Sequence, residues 1–143
     1  MPSDLPFDVD TFLAAPLVAR VAAAGPTVRP VWFLWEGGAF WWLTGGWSRL
    51  PRLLADDPRV ALVVDSCDLT TGRTLQVTAR GLADLQPFDP ERARRKLRRY
   101  LGGDETRWDE RFRSGTFDDP TAGFLRLRPE RLRARDVSFT VAC

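Results

Sequence analysis

Histidine is absent from all 143 residues. With it go the commonest general base, the commonest metal ligand and every nucleophile activated by a Ser-His or Cys-His pair. Lysine is nearly absent too: Lys96 is the only one, on a helix expected to be exposed, so Schiff-base chemistry has a single candidate. Cysteine is limited to Cys67 and Cys143, too few for a disulfide framework and without the paired spacing of a zinc site, so both are expected as free thiols. No run approaches the ~20 consecutive apolar residues of a membrane-spanning helix. The opening "MPSDLPFDVD" has neither the basic start nor the apolar middle of a secretion signal, so the expected location is the cytoplasm, with no membrane partner.

What is present describes one globular domain over residues 1–143. Hydrophobic residues make up 44% and charged residues 28%, enough apolar surface for a core and too much for a disordered chain. "DVDTFLAAP" reads as a short helix begun at Asp8 or Asp10 and stopped at Pro16, and "LVARVAAAG" as a strand closed by Gly25-Pro26-Thr27. "VRPVWFLWE" reads as one strand, with Val31, Phe33 and Trp35 on one face and Trp32, Leu34 and Glu36 on the other. Gly37-Gly38 turns it into "AFWWLT", apolar on both faces and therefore covered on both.

A short helix "SRLPRLLADDP" follows, then a buried strand "RVALVVDS", a loop "CDLTTGR" and a long strand "TLQVTARGLADL" in which Gly81 marks a bulge or bend. "DPERARRKLRRYLGG" is a helix between Asp89-Pro90 and Gly102-Gly103, "TRWDERFR" a second short helical piece, and "AGFLRLRPERLRARDV" a final strand pair. Short antiparallel strands punctuated by small helices predict a mainly β chain of about six strands, a small closed barrel with helical decoration.

Between the second tryptophan-rich strand and its helix lies Thr44-Gly45-Gly46-Trp47-Ser48-Arg49-Leu50-Pro51-Arg52-Leu53. A strand ends in a hydroxyl residue, two glycines let the backbone turn, and a helix begins with Ser48 and Arg49. Amides, hydroxyls and guanidinium groups thus converge at a helix start, a place suited to phosphate or carboxylate, although Ser48 also serves as an ordinary cap. Trp47 sits in the loop beside this point, where packing explains it less easily than the other tryptophans; stacking on a ligand is the expectation for it.

At these residues the chain resembles the pyridoxamine 5'-phosphate oxidase-like split β-barrels, which include flavin- and deazaflavin-dependent oxidoreductases. "RPVWFLWEGG", "WWLTGGWSRLPRLLADDPRVALVVD" and "LQVTARGLADL" carry the resemblance, well over residues 12–86 and loosely over the arginine-rich end. It implies an antiparallel split barrel of the flavin mononucleotide (FMN)-binding type, a likeness of fold in which FMN or a deazaflavin coenzyme is the cofactor. It further implies that Val31, Trp32 and Phe33 lay backbone along the ring system, that Thr44 contacts the cofactor chain and that Ser48 and Arg49 reach its phosphate; Leu43, Trp47 and Arg52 are further cofactor-binding candidates beside them, Trp47 standing where the family usually has a small residue. Gln76 matches the glutamine that contacts flavin across a homodimer. The family commonly has lysine and asparagine where this chain has Leu50 and Leu53, and near the end it offers Arg133 and Arg135 but no histidine, which argues against the vitamin B6 reaction itself.

The resemblance thus implies a homodimeric oxidoreductase moving a hydride to or from a small, unsaturated or aromatic substrate. The alternative is a divergent split barrel with weakened or lost flavin binding that uses the same aromatic pocket without redox chemistry. Tyr100, Glu36 and Asp65 are the proton-donor candidates. The run Arg92–Arg99, with six positive residues in eight, raises a nucleic-acid reading that a net charge of only +2 and flanking acids argue against; a solvated helix face is expected.

Overall fold

The computed structural model describes residues 5–143. Helix α1 (Val9–Ala14) starts on Asp8, whose carboxylate accepts the Thr11 N–H at 3.1 Å. Strands β1 (Val18–Ala23) and β2 (Thr27–Trp32) form one hairpin, and β3 (Leu34–Glu36) and β4 (Ala39–Thr44) a second, turned at Gly37 and Gly38, both at positive φ. Helix α2 (Leu50–Asp56), β5 (Arg59–Cys67), β6 (Thr74–Pro87) and helix α3 (Pro90–Leu101) follow. "TRWDERFR" folds as two 3-10 turns, Glu105–Arg107 and Glu110–Phe112, and the short α4 (Ser114–Phe117) leads to β7 (Gly123–Leu127) and β8 (Arg131–Asp136).

Every strand pairing is antiparallel, in the order β2-β1-β5-β6-β7-β4-β3, with β8 also on β6. The sheet curls into a half-barrel whose ladder ends at β2 and β3, a split barrel and not a closed one. The described residues hold eight strands where about six were expected. One addition has a clear cause: "VRPVWFLWE" breaks at Phe33, because the Tyr100 hydroxyl accepts the Phe33 N–H at 3.0 Å and lies 3.0 Å from the Phe33 carbonyl. A residue whose main-chain groups are taken by a side chain leaves the ladder.

Gly81 is not a bulge, since the β5–β6 register runs unbroken from Arg59↔Leu82 to Cys67↔Thr74. It is where β6 changes its other partner, from β8 up to Arg80 to β7 from Ala83 onward. The chain between β7 and β8 crosses there: a Cβ on Gly81 would meet the Arg128 carbonyl and the Glu130 amide, each at 3.1 Å.

The curl encloses a main core that includes Phe33, Phe40, Trp42, Leu50, Val64, Val77 and Leu127, with α1 and α2 against it. A second cluster, Leu34, Ala39, Trp41, Ala93 and Phe124, lies on the other face of β4 under α3, so β4 is buried on both sides as its composition predicts. The helix α3 is not simply exposed. Its Ala93, Lys96 and Leu97 are buried, Lys96 at 4% exposure where the surface was expected, while Arg95 and Arg98 are exposed and Arg92 lies half-buried over the Trp41 ring. Arg92, Arg94, Arg95 and Arg98 form ion pairs with Glu36, Asp89, Glu91 and Glu105. Cys67 and Cys143 are free thiols, and no helix among the described residues is long and apolar enough to cross a membrane.

Candidate functional site

The turn from β4 into α2 carries the most open chemistry. Thr44 ends β4 at 2% exposure, and its Oγ1 is buried without a hydrogen-bond partner among the described residues. A buried hydroxyl left unpaired costs about 1–3 kcal/mol unless another group reaches it. The ring of Trp47 folds back onto Gly45, so closely that a Cβ there would overlap it, yet Trp47 remains 59% exposed. Only glycine at position 45 admits that ring.

The main chain of the turn is largely self-satisfied. The Ser48 N–H donates to the Gly45 carbonyl at 3.0 Å, the Leu50 N–H to the Ser48 hydroxyl at 3.1 Å, and the Gly46 N–H to the Thr121 hydroxyl at 2.8 Å. Thr121 in turn donates to Asp119 at 2.6 Å. Hydrogen bonds from the Thr121 side chain and then its backbone hold the Asp119 carboxyl below its ordinary value. Free positive charge therefore comes from side chains: Arg49 and Arg52 are exposed, and neither joins an ion pair among the described residues. Leu50 points into the main core at 1% exposure and Leu53 is half-buried, so these two departures from the family pattern are packing residues of α2. Leu43 packs on the second cluster beside Phe88 and Phe117.

The strand residues Val31, Trp32 and Phe33 stand apart from this turn in their contacts. Val31 is half-buried against the main core. The ring of Trp32 stacks on Tyr100 (4.7 Å, 2°) and on Phe112 (5.4 Å, 24°), so two aromatic neighbours already lie against it. Gln76 lies near the opposite end of β6, across from Asp65 and Arg135, whereas Pro87 at the other end reaches Gly123 beside Thr44. Eleven residues of strand separate Gln76 from Pro87, up to about 35 Å of chain. One chain therefore does not bring Gln76 to the turn.

The proton-donor candidates are all engaged. The Tyr100 hydroxyl lies 2.7 Å from the Leu17 carbonyl in addition to its two contacts at Phe33; burial raises it above its ordinary value, the Phe33 hydrogen bond opposing. Burial would also raise the Glu36 carboxyl, but hydrogen bonds from Arg95 and Arg92 outweigh it and hold the group low. Asp65 pairs with Arg20 at 2.7 Å. No metal-binding group of three or more Cys, Asp or Glu side chains occurs among the described residues. Sequence reasoning missed the Asp119–Thr121 clasp on Gly46; its signal was the Asp-Pro-Thr turn, in which Asp119 accepts the Thr121 N–H at 2.7 Å.

The sequence model of the pyridoxamine 5'-phosphate oxidase family matches residues 6–136. The chain belongs to the pyridoxamine 5'-phosphate oxidase family. That match runs through the arginine-rich end, where the likeness read from motifs was loose. Solved structures share the family fold. A conserved hypothetical protein, Rv2991 from Mycobacterium tuberculosis, is 21% identical with a TM-score of 0.71, over 95% of this chain and 89% of that one. A protein titled F420 reductase is 23% identical with a TM-score of 0.62, over 92% and 98%. The heme storage protein HutZ from Vibrio cholerae is 17% identical with a TM-score of 0.59, over 81% and 82%. No curated protein matches the chain. Members of one fold thus carry different names, and the function of this one rests on its own site.

Proposed function

We propose that the chain is a flavin- or deazaflavin-dependent oxidoreductase acting on a small, unsaturated or aromatic substrate. The observation that carries this reading is the buried, unpartnered Thr44 hydroxyl at a turn flanked by two unpaired guanidinium groups, Arg49 and Arg52, and by the exposed ring of Trp47. That donor set suits a phosphate-bearing cofactor: the arginines meet the anion, Thr44 gains the hydrogen bond it lacks, and Trp47 shields the tail from water. The cofactor, when bound, supplies the hydride chemistry. In this reading Gln76 completes the site from the second copy of a homodimer, since within one chain it lies far along β6.

Titration with FMN and with a deazaflavin coenzyme, followed by absorbance, tests the proposal. Arg49→Gln/Arg52→Gln is expected to weaken binding by roughly tenfold or more, because each charge-assisted hydrogen bond contributes about 1.5–3 kcal/mol. Trp47→Ala is expected to weaken binding while leaving thermal stability within about 0.5 kcal/mol of the parent, as for other exposed positions. A large loss of stability with unchanged affinity would make Trp47 a packing residue.

A second reading has its own observation. The Gly46 amide is already bound by Thr121, and Leu50 serves the core in place of a polar residue. Both features favour a divergent member that holds its small molecule without flavin. Absence of binding to either cofactor at micromolar concentration selects this reading.

A further inference from the structure

Residues 104–122, the excursion from α3 to β7, reach both parts of the candidate site, which otherwise stand apart. The Phe112 ring stacks on Trp32 (5.4 Å, 24°), which also stacks on Tyr100. At the far end of the same excursion, the Thr121 hydroxyl accepts the Gly46 N–H at 2.8 Å. The Trp32 strand and the turn at Gly46 are where a planar ring and an anionic group are expected. One segment of chain therefore holds a contact at each place.

The excursion can lift without unravelling. Its turns are closed by their own acids: Asp104 accepts the Thr106 N–H at 3.1 Å, Asp109 the Arg111 N–H at 3.0 Å and Asp119 the Thr121 N–H at 2.7 Å. None of its main-chain hydrogen bonds runs to another element among the described residues, so lifting it orphans no backbone group of its own. Of its side chains only Trp108 is buried, and that indole N–H donates to the Gly102 carbonyl at 2.9 Å, at the root of the excursion. Beyond Phe112 and Thr121, it is held by Phe117 edge-on to Phe88 (5.7 Å, 80°) and by Glu105, paired with Arg94 and Arg98 of α3. A segment with so little buried surface belongs to the low-stability end of a fold.

We propose that residues 104–122 form a strap that gates the site. When it lifts, Phe112 leaves Trp32 to a planar ligand and Thr121 leaves the Gly46 amide to an anionic group, and the two contacts are lost together. The gate rests on the reading of this site as one for a planar, phosphate-bearing cofactor. A ligand that binds only the lifted form has its apparent affinity reduced by the fraction of chains in that form, so any change that favours lifting tightens binding.

Two measurements on the full chain test the strap, the first without a ligand. Phe117 touches Phe88 and Arg94, away from Trp32 and Gly46, so Phe117→Ala loosens the strap at a distance from the site. It is expected to speed hydrogen exchange of the Gly46 amide roughly two- to tenfold, read by nuclear magnetic resonance, with the amides of β6 unchanged. Gly46 exchange equal to the parent's overturns the proposal, because the strap then does not move as a unit. The second measurement is titration with FMN and with a deazaflavin coenzyme. Phe112→Ala and Thr121→Val are each expected to tighten binding roughly two- to tenfold. A parent that binds while both variants bind equally or more weakly overturns the gate and leaves the cofactor reading standing. Absence of binding by the parent and by both variants overturns the cofactor reading, and the gate falls with it. Whether the parent binds thus tells the two failures apart.

Discussion

Replacing Lys96 by methionine is expected to stabilise the folded chain at pH 7 by several kcal/mol and to flatten its response to alkaline pH. Lys96 is 4% exposed, forms no ion pair among the described residues, and has the Trp32 ring 5.8 Å from its Nζ. Burial pulls its ammonium from 10.5 down to about 7. The folded state thus releases a proton near pH 7 that the unfolded chain keeps to about pH 10.5. Across that window the unfolded state binds more protons, so stability rises with pH; below pH 7 both states are protonated and the penalty is constant. At about 1.4 kcal/mol for each tenfold, the cost at pH 7 is roughly 4 kcal/mol. Methionine has a similar unbranched length and no charge to bury.

Urea unfolding at pH 6, 8 and 10 checks this. The parent should gain stability between pH 7 and 10, Lys96→Met should stay nearly level, and the gap between them should close toward alkaline pH. Above pH 10 the raised Tyr100 hydroxyl acts in the opposite sense, because the folded state then holds a proton that the unfolded chain loses, and the climb should stop there. A parent whose stability is level from pH 7 to 10, or a variant less stable than the parent at pH 7, would contradict the account.

Removing the Tyr100 hydroxyl is expected to be among the most damaging single-atom changes to the fold. That oxygen accepts the Phe33 N–H and lies within 3.0 Å of the carbonyls of Leu17 and Phe33, tying α3 to the segment before β1 and to the break between β2 and β3. Tyr100→Phe keeps the ring stack on Trp32 but leaves at least two partly buried main-chain groups without their partner. At about 1–3 kcal/mol for each, the loss is about 2–6 kcal/mol, read as a lower urea midpoint at an unchanged slope. Tyr100→Leu should cost more, because the stack goes as well. A near-neutral Tyr100→Phe would mean that another group satisfies Phe33.

The elements were largely legible because their signals are local. Asp8 and Asp89 accept amide N–H groups at the helix starts where they were expected, and the alternation in "AFWWLT" reports burial on both faces of β4. The break at Phe33 was not legible. It depends on a hydroxyl 67 residues away, and no pattern within "VRPVWFLWE" records that contact. The burial of Lys96 was hidden for a related reason. A helix with six positive residues in eight reads as solvated, and only the packing of Ala93, Leu97 and Tyr100 on the sheet shows that one of the six faces inward. At the candidate site, the chemistry at Thr44, Arg49 and Arg52 was readable from residue types at a strand-to-helix junction. The Asp119–Thr121 clasp was not, because it arrives from a turn more than seventy residues further along the chain.

The change of partner along β6 at Gly81 bears on cooperativity. A single 14-residue strand serves as a rung for β5 and β8 at one end and for β7 at the other. Neither half of the split barrel owns a complete set of strands without it. Loss of β6 from one half removes the pairing surface of the other, so the two halves unravel in one transition and not as separable blocks. The turn at Thr44, joined to β6 through Gly123 of β7, and the β5 and β8 ladders at the Gln76 end thus draw their rigidity from the same strand.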